Sequence, residues 1–292
     1  MEIIGRLLDG RHCSRPAISA GAERDMPSAQ LLGLRMAALY CYWQNTAGPD
    51  LVRLAAAFIT HIGLTAGTPI ARTCLQAAAA VAKWQGRAYH SARHHAEVAT
   101  NAMVLAAISA RQGAPVSAHD LGILLAAALA HDIDWQPTPD QRSRFAAEAK
   151  SAAVLDRIAA ACGLGADDRR AIRVLVMATE PYSRAGMAAL LAAPDRGIGL
   201  PSGDRGTALS VLAAEPSLLH LASLLSDADL LSSAGLTRAW SRVQWQRLAR
   251  ESERPAKPAD WEHFFDAIVG ADFLSRAGRH FSANLARIRN LH

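Results

Sequence analysis

Apolar residues recur along this chain with the spacing of α-helices, and this pattern limits the folds open to it. Between its 13 prolines lie apolar segments long enough for helices, and the two-residue alternation typical of strands is almost nowhere present. Hydrophobic residues make up 51% of the chain and aromatic residues only 5%, so Ala and Leu dominate. Both favour helices over strands. The sequence therefore predicts an all-α protein in which helices pack on helices.

The predicted helices divide the chain into two regions. They cover residues 28–45, 50–64, 70–87, 89–112, 117–133, 140–162, 167–179, 184–192, 216–234, 236–250 and 260–290. The Gly- and Pro-rich stretch 194–206 is predicted to be an irregular surface loop. Residues 1–80 have helical patterns without a functional motif, so we predict an N-terminal helical extension there and a functional domain over residues 81–292.

Charge and cysteine content exclude several classes of protein. The net charge is +5, and the basic residues are dispersed without the tail or stripe of a nucleic-acid binder. The N-terminus lacks the apolar stretch of a signal peptide, and the longest apolar run, 121–130, is half a membrane span. We therefore expect a cytoplasmic protein with no membrane or nucleic-acid polymer as partner. The cysteines are widely spaced and are expected to be reduced, buried thiols: Cys13, Cys41, Cys74 and Cys162.

The dipeptide His-Asp occurs twice, and the two copies have different surroundings. Ser117 and Asp120 fit a capping box at a helix N-terminus, so a structural role explains His119-Asp120. The second pair, His131-Asp132, follows an almost wholly apolar helix. Burying an imidazole and a carboxylate without partners costs several kcal/mol, and a metal ion would compensate for that cost.

A polar stripe in the predicted helix 89–112 supplies further candidate ligands. Its members fall at i, i+4, i+7 and i+11 in a segment otherwise rich in Ala, Val and Leu; they are His90, His94, Glu97 and Asn101. His95 points about 100° away from His94 at 3.6 residues per turn, so we do not expect it to share the metal.

Two carboxylates in a later apolar helix compete for one further ligand position. Asp227 and Asp229 are two residues apart, so they point to nearly opposite sides of the helix. One of them can face a core site while the other reaches solvent or a backbone N–H. The pattern of residues alone leaves the choice between them open.

Together these residues resemble the HD superfamily of metal-dependent phosphohydrolases, whose pattern is His, then His-Asp, then a distant Asp. That pattern is matched by His94, by His131-Asp132 and by Asp229 in an Ala-Asp-Leu element. The sequence YHSARHHAEV is similar to YHNxxHAxDV in the branch that includes cyclic-nucleotide phosphodiesterases, and HDIDW is similar to their HDID. A group of predicted bacterial phosphohydrolases is closer in length. Its NExxSA and ARxNL elements are matched in part by AEAKSA (147–152) and loosely by SANL (282–285).

Two departures from the phosphodiesterase branch concern specificity. Ser91 replaces the Asn of the YHN element, and Trp135 stands where the cyclic-nucleotide enzymes have His. We place no equivalent of their purine-binding glutamine. Cyclic-nucleotide specificity is therefore not carried over to this chain.

The resemblance implies a fold, a site and a reaction. The implied fold is an all-α HD-domain helical bundle with an additional N-terminal helical region. The implied metal ligands are His94, His131, Asp132 and Asp229. They would hold one or two divalent ions, and Mn, Fe, Ni, Co, Zn and Mg all remain candidates. His90 matches the family's proton donor to the leaving group, and Asp132 is the second expected catalytic residue.

Further residues receive supporting roles. Glu97 and Glu148 are candidates for orienting ligands or water, and Arg93 and Lys150 for binding the phosphate. The expected function is metal-dependent hydrolysis of a small phosphomonoester or phosphodiester, nucleotides included. Two alternatives remain, a di-iron oxygenase, which would need extra His ligands, and a non-catalytic metal-binding regulatory module. The sequence leaves substrate, metal identity and oligomeric state open.

Overall fold

The computed structural model describes Leu7 and residues 26–134, 146–181, 183–193, 204–252 and 257–290. Within these residues the helices are α1 (Ala29–Gln44), α2 (Leu51–His61), α3 (Pro69–Lys83), α4 (Ala92–Arg111), α5 (Ala118–Ala130), α6 (Ala146–Ala161), α7 (Ala166–Met177), α8 (Ser183–Ala192), α9 (Asp204–Ala214), α10 (Pro216–Ala234), α11 (Arg238–Glu251), α12 (Pro258–His263) and α13 (Ser282–Arg289). A π-helical turn, Phe264–Val269, continues α12, and a 3₁₀ turn, Gly278–Phe281, leads into α13. No strand occurs in the described ranges, so the predicted all-α class is confirmed.

Several helices begin at a side chain that accepts a backbone N–H three residues on, which satisfies one of the free donors of the first turn. These residues are Ser28, Asp50, Thr68, Ser117 and Thr237. The cap predicted at Ser117 is therefore confirmed, with Asp120 N 3.1 Å from its hydroxyl. His119 lies in this exposed first turn, and its Nε2 is 2.9 Å from Asp168 Oδ1 on α7.

Helices α4, α5 and α10 form the centre of the molecule. The run Gly122–Ala130 of α5 is wholly buried, as is most of α10. A helix that is apolar all round must be covered on every side. Accordingly α4 packs against α10 and α5, while α5 also contacts α3 and α7. Buried residues of the N-terminal helices, such as Met36 and Phe58, belong to the same hydrophobic core as Leu105 and Leu224.

The structure corrects three of the predicted elements. Helix α4 begins at Ala92 rather than at residue 89, so His90 lies in the turn before it. The predicted helix 260–290 is broken at Gly270, whose φ of 77° is in the left-handed region that favours glycine. Helix α9 was not predicted, and it includes the last three residues of the predicted loop 194–206. The rest of that loop lies outside the described residues.

Three of the four cysteines lie in the described part of the chain. Cys74 and Cys162 are buried, as expected, whereas Cys41 is exposed, and all three are free. Cys13 and Trp135 lie outside the described residues. In the described part of the chain, no helix combines the length and the apolar content needed to cross a bilayer.

Candidate metal centre

Three of the central helices bring two imidazoles and two carboxylates to one place. His94 projects from the first turn of α4, His131 ends α5, Asp132 follows it, and Asp229 projects from α10. One ligand atom from each residue lies within 4.8 Å of the others. All four predicted metal ligands are thus brought together.

The spacing of these atoms fits a common cation. His94 Nε2 is 3.2 Å from Asp229 Oδ1 and 3.5 Å from Asp132 Oδ2. His131 Nε2 is 3.2 Å from Asp132 Oδ2 and 3.5 Å from Asp229 Oδ1. Ligand atoms bound at about 2.0–2.2 Å to one ion lie roughly 3.0–3.5 Å apart, which is the same range. Among the described residues, neither Nε2 has a hydrogen-bond partner of acceptable geometry. The atoms therefore converge on a shared point rather than pairing with one another.

The charges of the cluster also favour a cation. Burial disfavours the charged form of His94, but the Asp132 and Asp229 carboxylates outweigh it and raise the pKa of His94 to about 9. Burial also favours the neutral form of both carboxyl groups. The neighbouring imidazoles outweigh this effect of burial, and they lower the pKa of Asp132 and that of Asp229 below the ordinary value of an aspartate. At neutral pH the cluster thus keeps both carboxylates ionised and binds protons on its imidazoles, so a divalent cation would take the place of those protons.

Neighbouring groups hold the two imidazoles in place. His131 Nδ1 lies 3.1 Å from the carbonyl oxygen of Ala128, so this nitrogen carries the proton and Nε2 is left as the ligand atom. The ring of Tyr89 lies against that of His94, with centroids 4.7 Å apart. The Tyr89 hydroxyl is 3.1 Å from Ser233 Oγ on α10. Tyr89 therefore links the turn before α4 to the helix that carries Asp229.

His90 faces the cluster even though it precedes the helix. Its Nε2 lies 3.7 Å from Asp132 Oδ2, and its Nδ1 lies 2.5 Å from Glu251 Oε1 on α11. The other oxygen of Glu251 accepts hydrogen bonds from the backbone N–H groups of Tyr89 and His90. Burial favours the neutral form of Glu251, but the His90 ring and these N–H groups lower its pKa. An ionised carboxylate thus fixes the orientation of His90.

The polar stripe of α4 has three different uses. His94 joins the metal cluster. Glu97 is fully buried, and its oxygens accept hydrogen bonds from Gln244 Nε2 at 2.5 Å and from Arg247 Nη1 at 3.1 Å, both on α11. Asn101 Nδ2 donates a hydrogen bond to the carbonyl oxygen of Ala228 on α10. The carboxylate of Glu97 therefore ties α4 to α11, which is a different use from orienting a ligand or water.

Glu148 lies on α6, buried to 7% exposure, and its Oε2 has no hydrogen-bond partner among the described residues. Burial, reinforced by the charges of Asp132 and Glu180, raises the pKa of Glu148 to about 8. Glu180, buried at the end of α7, accepts a hydrogen bond from Ser183 Oγ at 3.2 Å. Glu148 is therefore within electrostatic reach of Asp132 in the cluster, and also of Glu180, which the sequence did not single out.

The two candidate phosphate-binding residues have different surroundings. Lys150 Nζ is 2.8 Å from Asp134 Oδ2, in a surface ion pair. Arg93, half-buried one residue before His94, has no hydrogen-bond partner for its buried Nε in the described part of the chain. Burial and the charge of Arg247 lower the pKa of Arg93. Arg93 is therefore the less compensated cation of the two.

The structure separates Asp227 from Asp229. Asp227 is fully buried and accepts hydrogen bonds from Arg184, from Ser275 Oγ and from two backbone N–H groups. Arg184 Nη1 is 3.0 Å from Asp227 Oδ1. Gly278 is required beside this carboxylate, because a Cβ there would overlap Asp227 Oδ2. Asp227 thus secures the segment before α13.

His95 is fully buried next to the cluster, between Trp84 and His131. Its ring contacts those of Trp84 and His131 edge-on, with centroids 5.9 and 5.2 Å apart. It is not among the four residues whose ligand atoms converge. This is the placement expected from its angular offset to His94.

The residue that sequence reasoning missed most clearly is Glu251. It is 161 residues from His90 in sequence and sits in a helix rich in charged residues, where one more acidic residue looks ordinary. Tyr89 belongs to the YHSARHHAEV motif, but that motif does not predict its contact with Ser233 of α10. Neither contact could be read from local spacing.

Comparisons with known proteins agree with the fold. No protein-family model matches the sequence, and no curated protein matches it. Among solved structures, the phosphodiesterase domain of the RhoPDE fusion protein from the choanoflagellate Salpingoeca rosetta aligns with a TM-score of 0.51 and 14% identity. The alignment covers 94% of this chain and 92% of that chain.

Two further structures give the same result. LmjPDEB1 in complex with IBMX aligns with a TM-score of 0.52 and 15% identity, over 88% of this chain and 85% of that chain. The phosphodiesterase domain of Salpingoeca rosetta rhodopsin phosphodiesterase aligns with a TM-score of 0.51 and 15% identity, over 88% and 87%. The chain has the all-helical fold of these phosphodiesterase domains. At such identities the likeness concerns the fold alone.

Proposed function

We propose that this chain is a metal-dependent phosphohydrolase of the HD superfamily, with residues 81–292 as its hydrolase domain and the N-terminal helices packed on it. The observation that carries the proposal is the convergence of His94, His131, Asp132 and Asp229 on one point, in a mostly buried site that keeps two carboxylates ionised. Two nitrogen and two oxygen ligands suit a divalent transition metal, and Mg²⁺ stays among the candidates. The phosphodiesterase fold of the structural neighbours supports the same reaction class.

A divalent cation in this position supplies Lewis acidity toward a phosphoryl oxygen and a nucleophile from water at neutral pH. The chain's own contribution is to hold the two carboxylates ionised and the His131 ring in one tautomer. The side chain of Asp229 is about one-fifth exposed and those of Asp132 and His90 about one-eighth, so one side of the cluster is open to a substrate. The substrate we propose is a small-molecule phosphomonoester or phosphodiester.

His90 is the proposed proton donor to the leaving group. Because Glu251 holds the Nδ1 proton, the Nε2 of His90 is the nitrogen directed at the cluster. A protonated Nε2 there can donate to an alkoxide as the ester bond breaks. Glu251 would stabilise the positive charge of that imidazolium.

Two neighbouring groups complete the proposed site. Arg93 is the proposed phosphate-binding residue, since it lies next to the ligand His94 in sequence and its buried Nε has no hydrogen-bond partner among the described residues. Glu148 is the proposed residue for orienting water or holding a second cation beside Asp132, because a nearby cation would favour its ionised form.

The position of His95 favours a hydrolase over the di-iron alternative. A second iron would need extra imidazoles, and His95 lies against Trp84, outside the converging set. The intact ligand set likewise favours an enzyme over a non-catalytic module.

The test combines metal analysis with a substrate screen. Protein stripped with a chelator is reloaded with Mn²⁺, Mg²⁺, Ni²⁺ or Co²⁺ and assayed against nucleotides, cyclic nucleotides, sugar phosphates and bis-p-nitrophenyl phosphate. We expect bound metal at one or two ions per chain and phosphate-ester hydrolysis that requires it. Metal binding without hydrolysis of any ester would support the non-catalytic module, and absence of metal binding would overturn the proposal.

A further inference from the structure

A buried side-chain relay joins the N-terminal helix α1 to the turn of α10 that carries Asp229. Tyr40, fully buried, has its hydroxyl 2.6 Å from Asn101 Oδ1 on α4. Asn101 Nδ2 in turn lies 2.7 Å from the carbonyl oxygen of Ala228 and 3.1 Å from Ser232 Oγ. The relay therefore crosses from the first eighty residues into the proposed metal site.

The chemistry of the groups fixes the direction of each hydrogen bond. A backbone carbonyl only accepts, so the amide nitrogen of Asn101 must face Ala228, and its oxygen must face Tyr40. The Tyr40 hydroxyl must then donate. Ring contacts with Trp43 and Trp240, at centroid distances of 5.2 and 6.0 Å, hold Tyr40 in this position.

The geometry concerns the turn that bears a ligand. Ala228 and Ser232 are one helical turn apart, so the two N–H groups of one amide span that turn, and Asp229 lies within it. On α4, His94 and Asn101 are seven residues apart and face α10 together. His94 Nε2 lies 3.2 Å from Asp229 Oδ1, and Asn101 donates a hydrogen bond to the carbonyl oxygen of Ala228 in the same turn of α10. Asn101 thus hydrogen-bonds both ends of the turn of α10 that bears Asp229.

We infer that Asn101 and Tyr40 are positioning residues for Asp229, and that the N-terminal helix is consequently part of the metal site's support. This inference rests on the proposed metal-binding function. The substitution Asn101→Leu breaks the relay at its centre, and Tyr40→Phe breaks it at its α1 end. Tyr40→Phe keeps the ring and removes only the donor, so it folds even if Asn101→Leu does not.

The chain offers a matched control at Asn284. This asparagine is also buried, and its Nδ2 donates to three backbone carbonyls, those of Ala29, Gly235 and Leu236, at 2.9–3.1 Å. Asn284→Leu therefore removes the same kind of hydrogen bonds without touching the turn at Asp229.

The experiment measures Mn²⁺ affinity of the full-length metal-free protein by calorimetry and the urea midpoint of the same samples. Both Asn→Leu variants should unfold at lower urea, but only Asn101→Leu should weaken Mn²⁺ binding, by about 10- to 100-fold as for other groups that orient metal ligands. Tyr40→Phe should weaken it in the same direction by a smaller factor. Unchanged Mn²⁺ affinity in Tyr40→Phe and Asn101→Leu, or equal weakening in Asn284→Leu, would overturn the inference. Failure of the wild-type chain to bind Mn²⁺ or another divalent ion would instead overturn the proposed function.

Discussion

Asp227 and Asp229, two residues apart on α10, face opposite partners: Asp227 Oδ1 lies 3.0 Å from Arg184 Nη1, whereas Asp229 Oδ1 lies 3.2 Å from His94 Nε2. A separation of two residues turns about 200° around a helix. Asp227 therefore forms an ion pair and hydrogen bonds that hold the segment before α13, whereas Asp229 is available to bind the proposed metal. The two aspartates should respond differently to the same substitution.

Asp229→Asn should abolish tight metal binding, because it removes a charge that offsets a cation. Asp227→Asn should keep the metal but lower the unfolding free energy by about 3–5 kcal/mol, since Arg184 is left as an uncompensated buried charge. Metal content by mass spectrometry and urea unfolding measure both quantities. If the Asp229→Asn protein retained the metal and the Asp227→Asn protein lost it, the assignment of the two aspartates would be reversed.

His90→Ala should leave the metal content near wild type and lower kcat by about 10² to 10⁴ on esters with alkoxide leaving groups. The loss should be smaller for p-nitrophenyl esters, whose leaving group needs no proton. Glu251→Gln should lower kcat in the same pattern but less, because the His90 ring keeps a hydrogen-bond partner at Nδ1. Steady-state kinetics on matched alkyl and p-nitrophenyl esters make the comparison. If His90→Ala loses its metal, His90 is a ligand and the donor role is wrong.

The sequence predicts those features of the structure that depend on interactions between residues close together in the chain. The cap at Ser117 and the burial of α5 follow from residues within one or two turns, and the residue types near His94 and His131 indicated a metal. The contacts that decide orientation are not local. Glu251 meets His90, and Arg184 meets Asp227, only because distant helices pack together. The prediction that α4 begins at residue 89 failed for the same reason, since the turn at Tyr89 and His90 is held by Glu251 of α11.

The two His-Asp pairs should differ in metal binding. His131→Ala and Asp132→Ala each remove an atom from the converging set, so both should lose the metal. His119→Ala and Asp120→Ala alter a capped, exposed helix start and should retain it, with a cost of at most about 0.5–2 kcal/mol. Metal content of the four variants, measured at equal folded fraction by circular dichroism, checks this. Equal metal loss in all four would contradict the assignment.

Glu148 should make the metal-free protein less stable as pH rises. Burial, with the charges of Asp132 and Glu180, raises the pKa of Glu148 to about 8, whereas an unfolded Glu titrates near about 4.3. Between these values the native state holds more protons than the unfolded state, so this residue's contribution to stability falls with pH, by up to about 1.4 kcal/mol per pH unit.

The substitution Glu148→Gln tests this, because it keeps the shape of the side chain and cannot ionise. Its unfolding free energy relative to wild type should therefore rise between pH 5 and about pH 8 in the presence of chelator, as urea titrations at several pH values would measure. Lys150→Gln is the control and should show no such trend, because Lys150 lies two positions along α6, about 200° around the helix from Glu148, and pairs with Asp134 at the surface. A pH-independent difference between Glu148→Gln and wild type would mean that Glu148 is already ionised in the folded protein.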